Sequence, residues 1–136
     1  MDTTDALVQL SFQVQRILTA VGAEHDLSVV QLRLLGVLRD RTPGMLELGR
    51  HLGLDKSSIT GLVSRAEKRD LVRRLPSPHD GRGVLVELTP LGHRLTRQGA
   101  AEIDRRIAEL TARMSAADRA RLTALAAALV TPFPDA

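Results

Sequence analysis

LDKSSITGLVSRAEKRDL, residues 54–71, reads as one helix with two unlike sides. Taking steps of roughly 100° per residue, Ile59, Leu62, Val63 and Ala66 gather on one side. Ser57, Gly61, Ser64 and Lys68 fall nearly opposite, with Thr60 and Arg65 beside them. Asp55 is a natural N-cap, which predicts a helix from Lys56 to about Arg69. A glycine in the middle of an exposed helix face costs about 1 kcal/mol against alanine. A face that is small, hydroxylated and basic, and that keeps such a glycine, calls for a reason beyond the fold.

Upstream, Met45–Leu52 predicts a shorter helix with Leu46, Leu48 and Leu52 apolar and Gly53 at its end. Only about three residues separate it from the helix of the opening stretch, the spacing of a helix-turn-helix. RTPG at 41–44 is a turn, and Ser28 caps a helix expected over Val29–Asp40, with Leu32, Leu35 and Leu38 inward. A first helix is expected over 5–22, through Leu7, Leu10, Val14, Ile17, Leu18 and Val21.

Downstream, LVRRL (71–75) and GVLVELT (83–89) flank the turn-rich PSPHDGR and predict a small hairpin. Thr89 followed by Pro90 reads as N-cap and first helical residue. A long fifth helix is expected to about Met114, and Ser115 caps a sixth over Ala116–Val130 with Leu122, Leu125, Ala126 and Leu129 inward. The order is helix, helix, helix-turn-helix, hairpin, helix, helix. The expected fold class is mainly α with a small β-hairpin wing, a winged helix-turn-helix of six helices.

Composition narrows the functional classes. The chain has 136 residues, no Cys, Trp or Tyr, and two Phe. Disulfides, thiolate catalysis and Cys-ligated zinc are excluded. Scarce aromatics weaken any reading based on stacking against single-stranded bases. No continuous apolar run predicts a membrane span, and the start, MDTTDALVQL, lacks the pattern of a signal peptide. The expected location is the cytoplasm. Net charge is +3, yet residues 50–82 hold eight Lys/Arg against four acids, a local +4 between stretches of −2 and +1. A cationic focus of this kind suits a polyanion.

The wing and the cationic focus coincide, and this gives the odd helix face its use. Bulky side chains would hold a helix backbone away from base edges in the major groove, whereas glycine lets it approach. Ser and Thr hydroxyls bond bases or phosphates, and Lys56 with the helix N-terminus favours phosphate. Arg82, at the hairpin tip, can enter an adjacent minor groove. Asp80 is expected to pair with a nearby Arg, and Arg73 and Arg74 to meet phosphate.

The segments LSVVQLRLLGVL, LELGRHLGLDKSSITGLVSRAEKRDLVRR and SPHDGRGVLVELTPLG together resemble the MarR family of bacterial transcription regulators over about residues 27–95. The resemblance implies a homodimeric repressor of winged-helix subunits on a pseudo-palindromic double-stranded operator, often relieved by a small molecule. Lys56, Ser57, Ser58, Thr60, Gly61, Ser64 and Arg65 would then lie on the recognition helix, and Asp80 with Arg82 would form the wing pair. The chain would be a single MarR-type domain, with residues 1–26 and 90–136 as dimerisation helices and 28–89 as the DNA-binding lobe. Asp70 departs from the family pattern, standing where many members have a glycine. A ligand would lie between dimer helices and lobe, where His25, Arg33, Arg39 and His93 are candidates.

The four histidines show no ligand spacing and no catalytic triad is legible, so neither enzyme nor metal site nor cofactor is expected. Two alternatives remain at this stage. A winged-helix protein-interaction module would need an apolar face where Ser, Gly and Lys stand. A nonspecific architectural DNA binder would share the salt dependence but lack a specificity ratio.

Overall fold

The computed structural model describes residues 1–79 and 81–134. Among them the elements run α1 (Thr3–Glu24), α2 (Val29–Leu38), α3 (Met45–Leu52), α4 (Lys56–Lys68), β1 (Val72–Pro76), β2 (Val84–Leu88), α5 (Pro90–Leu110) and α6 (Ala116–Leu129). The winged helix-turn-helix expected from the sequence is present, with its boundaries set by local hydrogen bonds. Ser28 accepts from Gln31 N–H at 3.2 Å while the Gln31 side chain accepts from Ser28 N–H at 2.8 Å, a complete capping box. Thr89 caps α5 through Gly92 N–H at 3.0 Å, and Ser115 caps α6 through Asp118 N–H at 3.1 Å.

Several boundaries differ from expectation by a few residues, three of them with a clear local cause or consequence. α1 starts earlier, at Thr3, because the Asp2 carboxylate accepts from Asp5 N–H at 2.8 Å and supplies the cap. α2 ends at Leu38, short of Asp40. α5 ends at Leu110, where a tight turn closed by Met114 N–H on the Thr111 carbonyl reverses the chain before Ser115.

The core lies in the lobe formed by α2, α3, α4 and the hairpin. Leu34, Leu35, Leu38, Leu48, Leu62, Val63, Val72 and Val86 are all but inaccessible. Burial of side chains of this size contributes about 1.5–3 kcal/mol each. β1 and β2 are antiparallel, with Val72 opposite Leu88, Arg73 opposite Glu87 and Arg74 opposite Val86. The outer side of β2 is bridged to Gly44, with Val86 N–H donating to the Pro43 carbonyl at 3.0 Å.

The terminal helices are different. α6 contains no buried residue; Leu125 is 67 % and Leu129 74 % exposed, so the stripe expected to face inward finds no cover within the chain. The first half of α1 is likewise open, with Leu7, Val8, Leu10 and Phe12 exposed. Leu46, one of the three apolar residues noted on α3, is also exposed. Among the described residues no helix is long and apolar enough to cross a membrane.

Candidate nucleic-acid interface

α4 is fixed from one side only. Ile59, Leu62, Val63 and Ala66 are buried against the lobe. Lys56, Ser57, Ser58, Thr60, Arg65 and Lys68 are exposed on the other side, and Gly61 and Ser64 are half-buried between them. The Asp55 carboxylate accepts from Ser58 N–H at 2.8 Å and from the Ser57 hydroxyl at 3.1 Å. The Ser58 backbone bond, above all, holds this carboxyl below the usual range for aspartate. The helix N-terminus therefore already carries an anion of its own, so its pull on a phosphate rests chiefly on Lys56 and the free face of the first turn.

Gly61 has no neighbour that requires it. A methyl group there would meet only the Arg65 guanidinium, at 3.1 Å, the mobile end of a side chain on the same helix. The glycine keeps the outer face low without serving the packing. Thr60 returns its hydroxyl to the Lys56 carbonyl at 2.7 Å. Ser64 is engaged as well: its hydroxyl accepts from Arg74 Nη2 at 2.6 Å.

Arg74 reaches from β1 across to α4. Besides Ser64 it donates to the Thr60 carbonyl at 3.4 Å, and its Nε lies 3.7 Å from a Glu67 carboxylate oxygen. That Nε is buried without a hydrogen-bond partner. The guanidinium thus braces the hairpin against the helix. Its neighbour Arg73 points to the opposite face of the ribbon, paired with Glu87 at 2.6 Å and more than half exposed. Of the two wing residues singled out in the sequence, Arg82 is exposed and Asp80 lies outside the described residues.

Two hollows flank α4. One, about 340 Å³, is lined by Val30, Leu54, Ser57, Ser58, Gly61, Leu62 and Arg65. The other, about 750 Å³, lies between α3, the start of α4 and the hairpin, and brings Arg50, Lys56, Arg74 and Arg82 to one cleft. Arg50 was not among the residues picked from the sequence. It sits in the last turn of α3, and only the packing of α3 on the hairpin carries it to the wing. The helix is therefore a ridge with cationic side chains on its flanks, the shape that enters a groove in duplex DNA.

A third hollow, about 790 Å³, opens away from this face between α1, α2 and α5. It is lined by apolar Leu18, Val37 and Ile103 and by Arg33, Arg39 and Arg41. Two of the four ligand candidates, Arg33 and Arg39, line it; His25 and His93 do not. Phe133 closes one side, its ring 4.8 Å from the Arg41 guanidinium and edge-on to His51. Burial, followed by the charges of Arg33 and Arg41, pushes the His51 imidazole below its ordinary value. Among the described residues no cluster of His, Asp and Glu could hold a metal ion.

A family model described as MarR family matches residues 25–83. The HTH-type transcriptional repressor NicR of Pseudomonas putida is 38 % identical over 72 residues, covering 52 % of this chain and 46 % of NicR. The multiple antibiotic resistance protein MarR of Salmonella typhimurium is 34 % identical over 86 residues, covering 61 % of this chain and 58 % of that protein. These matches span about half the length of the curated relatives. Over 94 % of this chain and 93 % of the other, the structure superposes on a mutant MarR from Escherichia coli complexed with operator DNA, with a TM-score of 0.77 and 26 % identity.

Proposed function

We propose that this chain, similar to the MarR family over residues 25–83, is a MarR-type, sequence-specific, double-stranded-DNA-binding transcription regulator that acts as a homodimeric repressor. The observation that carries this reading is the outer face of α4: small, hydroxylated and cationic, with a glycine that the packing does not ask for. In the major groove, Gly61 lets the backbone approach, and Ser57, Ser58 and Thr60 offer hydroxyls to bases and phosphates. Arg65 and Lys68 lie along the same ridge. Lys56 and Arg50 meet the backbone of the duplex, and Arg82 enters the neighbouring minor groove. Ser64 and Arg74 set the angle between helix and wing. The operator-bound neighbour, similar over nearly the whole chain, supports this docking. A protein-interaction module is disfavoured because the exposed side of α4 offers no apolar patch.

The uncovered apolar stripes of α1 and α6 supply the dimer contact, which gives a pair of α4 helices related by a two-fold axis and hence a pseudo-palindromic operator. The hollow between α1, α2 and α5, apolar with arginines on its rim, fits a small organic anion as effector. Such an effector acts only through its different affinity for the DNA-competent and incompetent forms.

The test is a titration of the duplex flanking the protein's own gene, with and without excess random duplex, at two salt concentrations. Tight binding that survives the competitor is expected, with a footprint of two half-sites. Binding that random duplex erases at both salts, on this duplex and on sites selected from a random library, would replace the reading by general affinity for DNA.

A further inference from the structure

The carbonyls at the end of a helix lack partners and form the negative end of its dipole, so a cation bearing donors is stabilising there. The last turn of α1 has no basic residue. The carbonyls of His25 and Asp26, just past that turn, are met by a side chain from the end of α4. Arg69, the first residue beyond α4, gives Nη1–H to the Asp26 carbonyl at 2.7 Å and Nη2–H to the His25 carbonyl at 2.9 Å. One guanidinium thus ties the DNA-facing helix to the end of α1.

Both sides of this tie are locked. α1 ends with Asp26 at φ = 54° and Leu27 N–H on the Gly22 carbonyl at 2.8 Å. α4 ends the same way, with Asp70 at φ = 60° and Leu71 N–H on the Ala66 carbonyl at 3.0 Å. Arg69 therefore starts from a fixed backbone and reaches fixed acceptors. A second tie lies next to it: the Thr89 hydroxyl, at the head of α5, donates to the Asp70 carbonyl at 2.5 Å. The corner is close-packed, since a methyl group at Gly92 would collide with the Leu71 carbonyl and one at Gly22 with the Leu27 carbonyl.

We propose that Arg69 is a positioning residue for DNA recognition: by fastening the end of α4 to the end of α1 it sets the angle of the DNA-facing helix relative to the dimer helices, and so the half-site spacing the dimer accepts. This rests on the regulator reading above. It assigns Arg69 no contact with DNA, although its position in the basic segment suggests one. A hydrogen-bonded fork between two helix ends is stiff in direction as well as distance, because the planar guanidinium holds both acceptors at once. A small rotation of α4 at this end moves the helix face laterally by ångströms where it meets the groove, and the two-fold axis doubles the error between half-sites.

The experiment uses the full chain and the operator footprinted with wild type. Binding is measured on three duplexes: the intact operator, the operator with one half-site scrambled, and a set with one or two base pairs added or removed between half-sites. For Arg69→Ala the intact operator is expected to lose at least about fivefold in affinity, the single half-site to be unchanged, and the preference for native spacing to flatten or shift. Arg69→Lys, whose ammonium can bond these carbonyls but lacks the planar fork, should restore only part of the preference. An equal loss on intact and single half-sites, or a wild-type spacing profile for Arg69→Ala, would overturn the assignment. If Arg69→Ala does not fold, Arg69→Gln carries the same comparison, since its amide spans one carbonyl only; a wild-type profile there overturns it equally. A wild-type protein that ignores half-site spacing would instead remove the regulator reading, and this inference with it.

Discussion

Asp70 holds φ = 60°, a left-handed conformation in which a β-carbon crowds the following carbonyl. The helix end needs that conformation, because both closing bonds, from Asp70 N–H to the Glu67 carbonyl and from Leu71 N–H to the Ala66 carbonyl, depend on it. The departure seen in the sequence, an aspartate where the family pattern has glycine, is thus a residue carrying local strain without changing the motif. Asp70→Gly is expected to raise stability by up to about 1 kcal/mol, read as a higher denaturation midpoint at unchanged m-value. An unchanged or lower midpoint would show that the aspartate side chain stabilises this end by other means. Asp26, in the same conformation at the end of α1, marks a second such position.

At the scale of the element, α4 separates what holds it from what it presents. Its inner face could be exchanged only at the expense of the lobe core; its outer face bears almost no packing. Gly61→Ala should therefore stabilise the helix, by about 0.5–1 kcal/mol, while weakening operator binding. Gly61→Leu should keep the fold and abolish specific binding. Thermal melting and a competition titration on the same samples test both halves; operator affinity equal to wild type in Gly61→Leu would show that this face does not enter the groove. Much of this element was legible in the sequence. Its cap, apolar side and small outer side are local patterns, each readable within four residues. The same holds for Ser28, Thr89 and Ser115, which bond the N–H three residues on. What stayed hidden depends on how elements pack across long separations. Arg73 and Arg74 look alike in the string LVRRL, yet strand alternation sends one to Glu87 and the other into α4. Nothing in the run of basic residues from Arg65 to Arg74 distinguishes the one that clasps α1. Arg50 joins the wing cleft only because α3 packs on β2.

The whole molecule is lopsided, with a sealed lobe and open terminal helices. Leu125 and Leu129 on α6, Val130 just beyond it, and Leu7 and Phe12 on α1 expose apolar surface that a second copy would cover. The double substitution Leu125→Glu and Leu129→Glu is expected to yield a monomer by light scattering. Its lobe should melt as a folded unit, and its operator affinity should fall by about a hundredfold or more, as two linked contacts become one. A dimer that persists would place the contact elsewhere. The hairpin, by contrast, has the outer edge of β2 already paired within the chain. A two-stranded ribbon ordinarily offers backbone donors and acceptors to any strand that comes near, the start of unlimited edge-to-edge growth. Here Pro43 and Gly44 already occupy the outer side of β2, and Arg74 fastens β1 to α4. In the proposed dimer, copies of this chain would then meet through helices and not through ribbons, and assembly would stop at the pair even at concentrations where an unguarded hairpin would seed fibres.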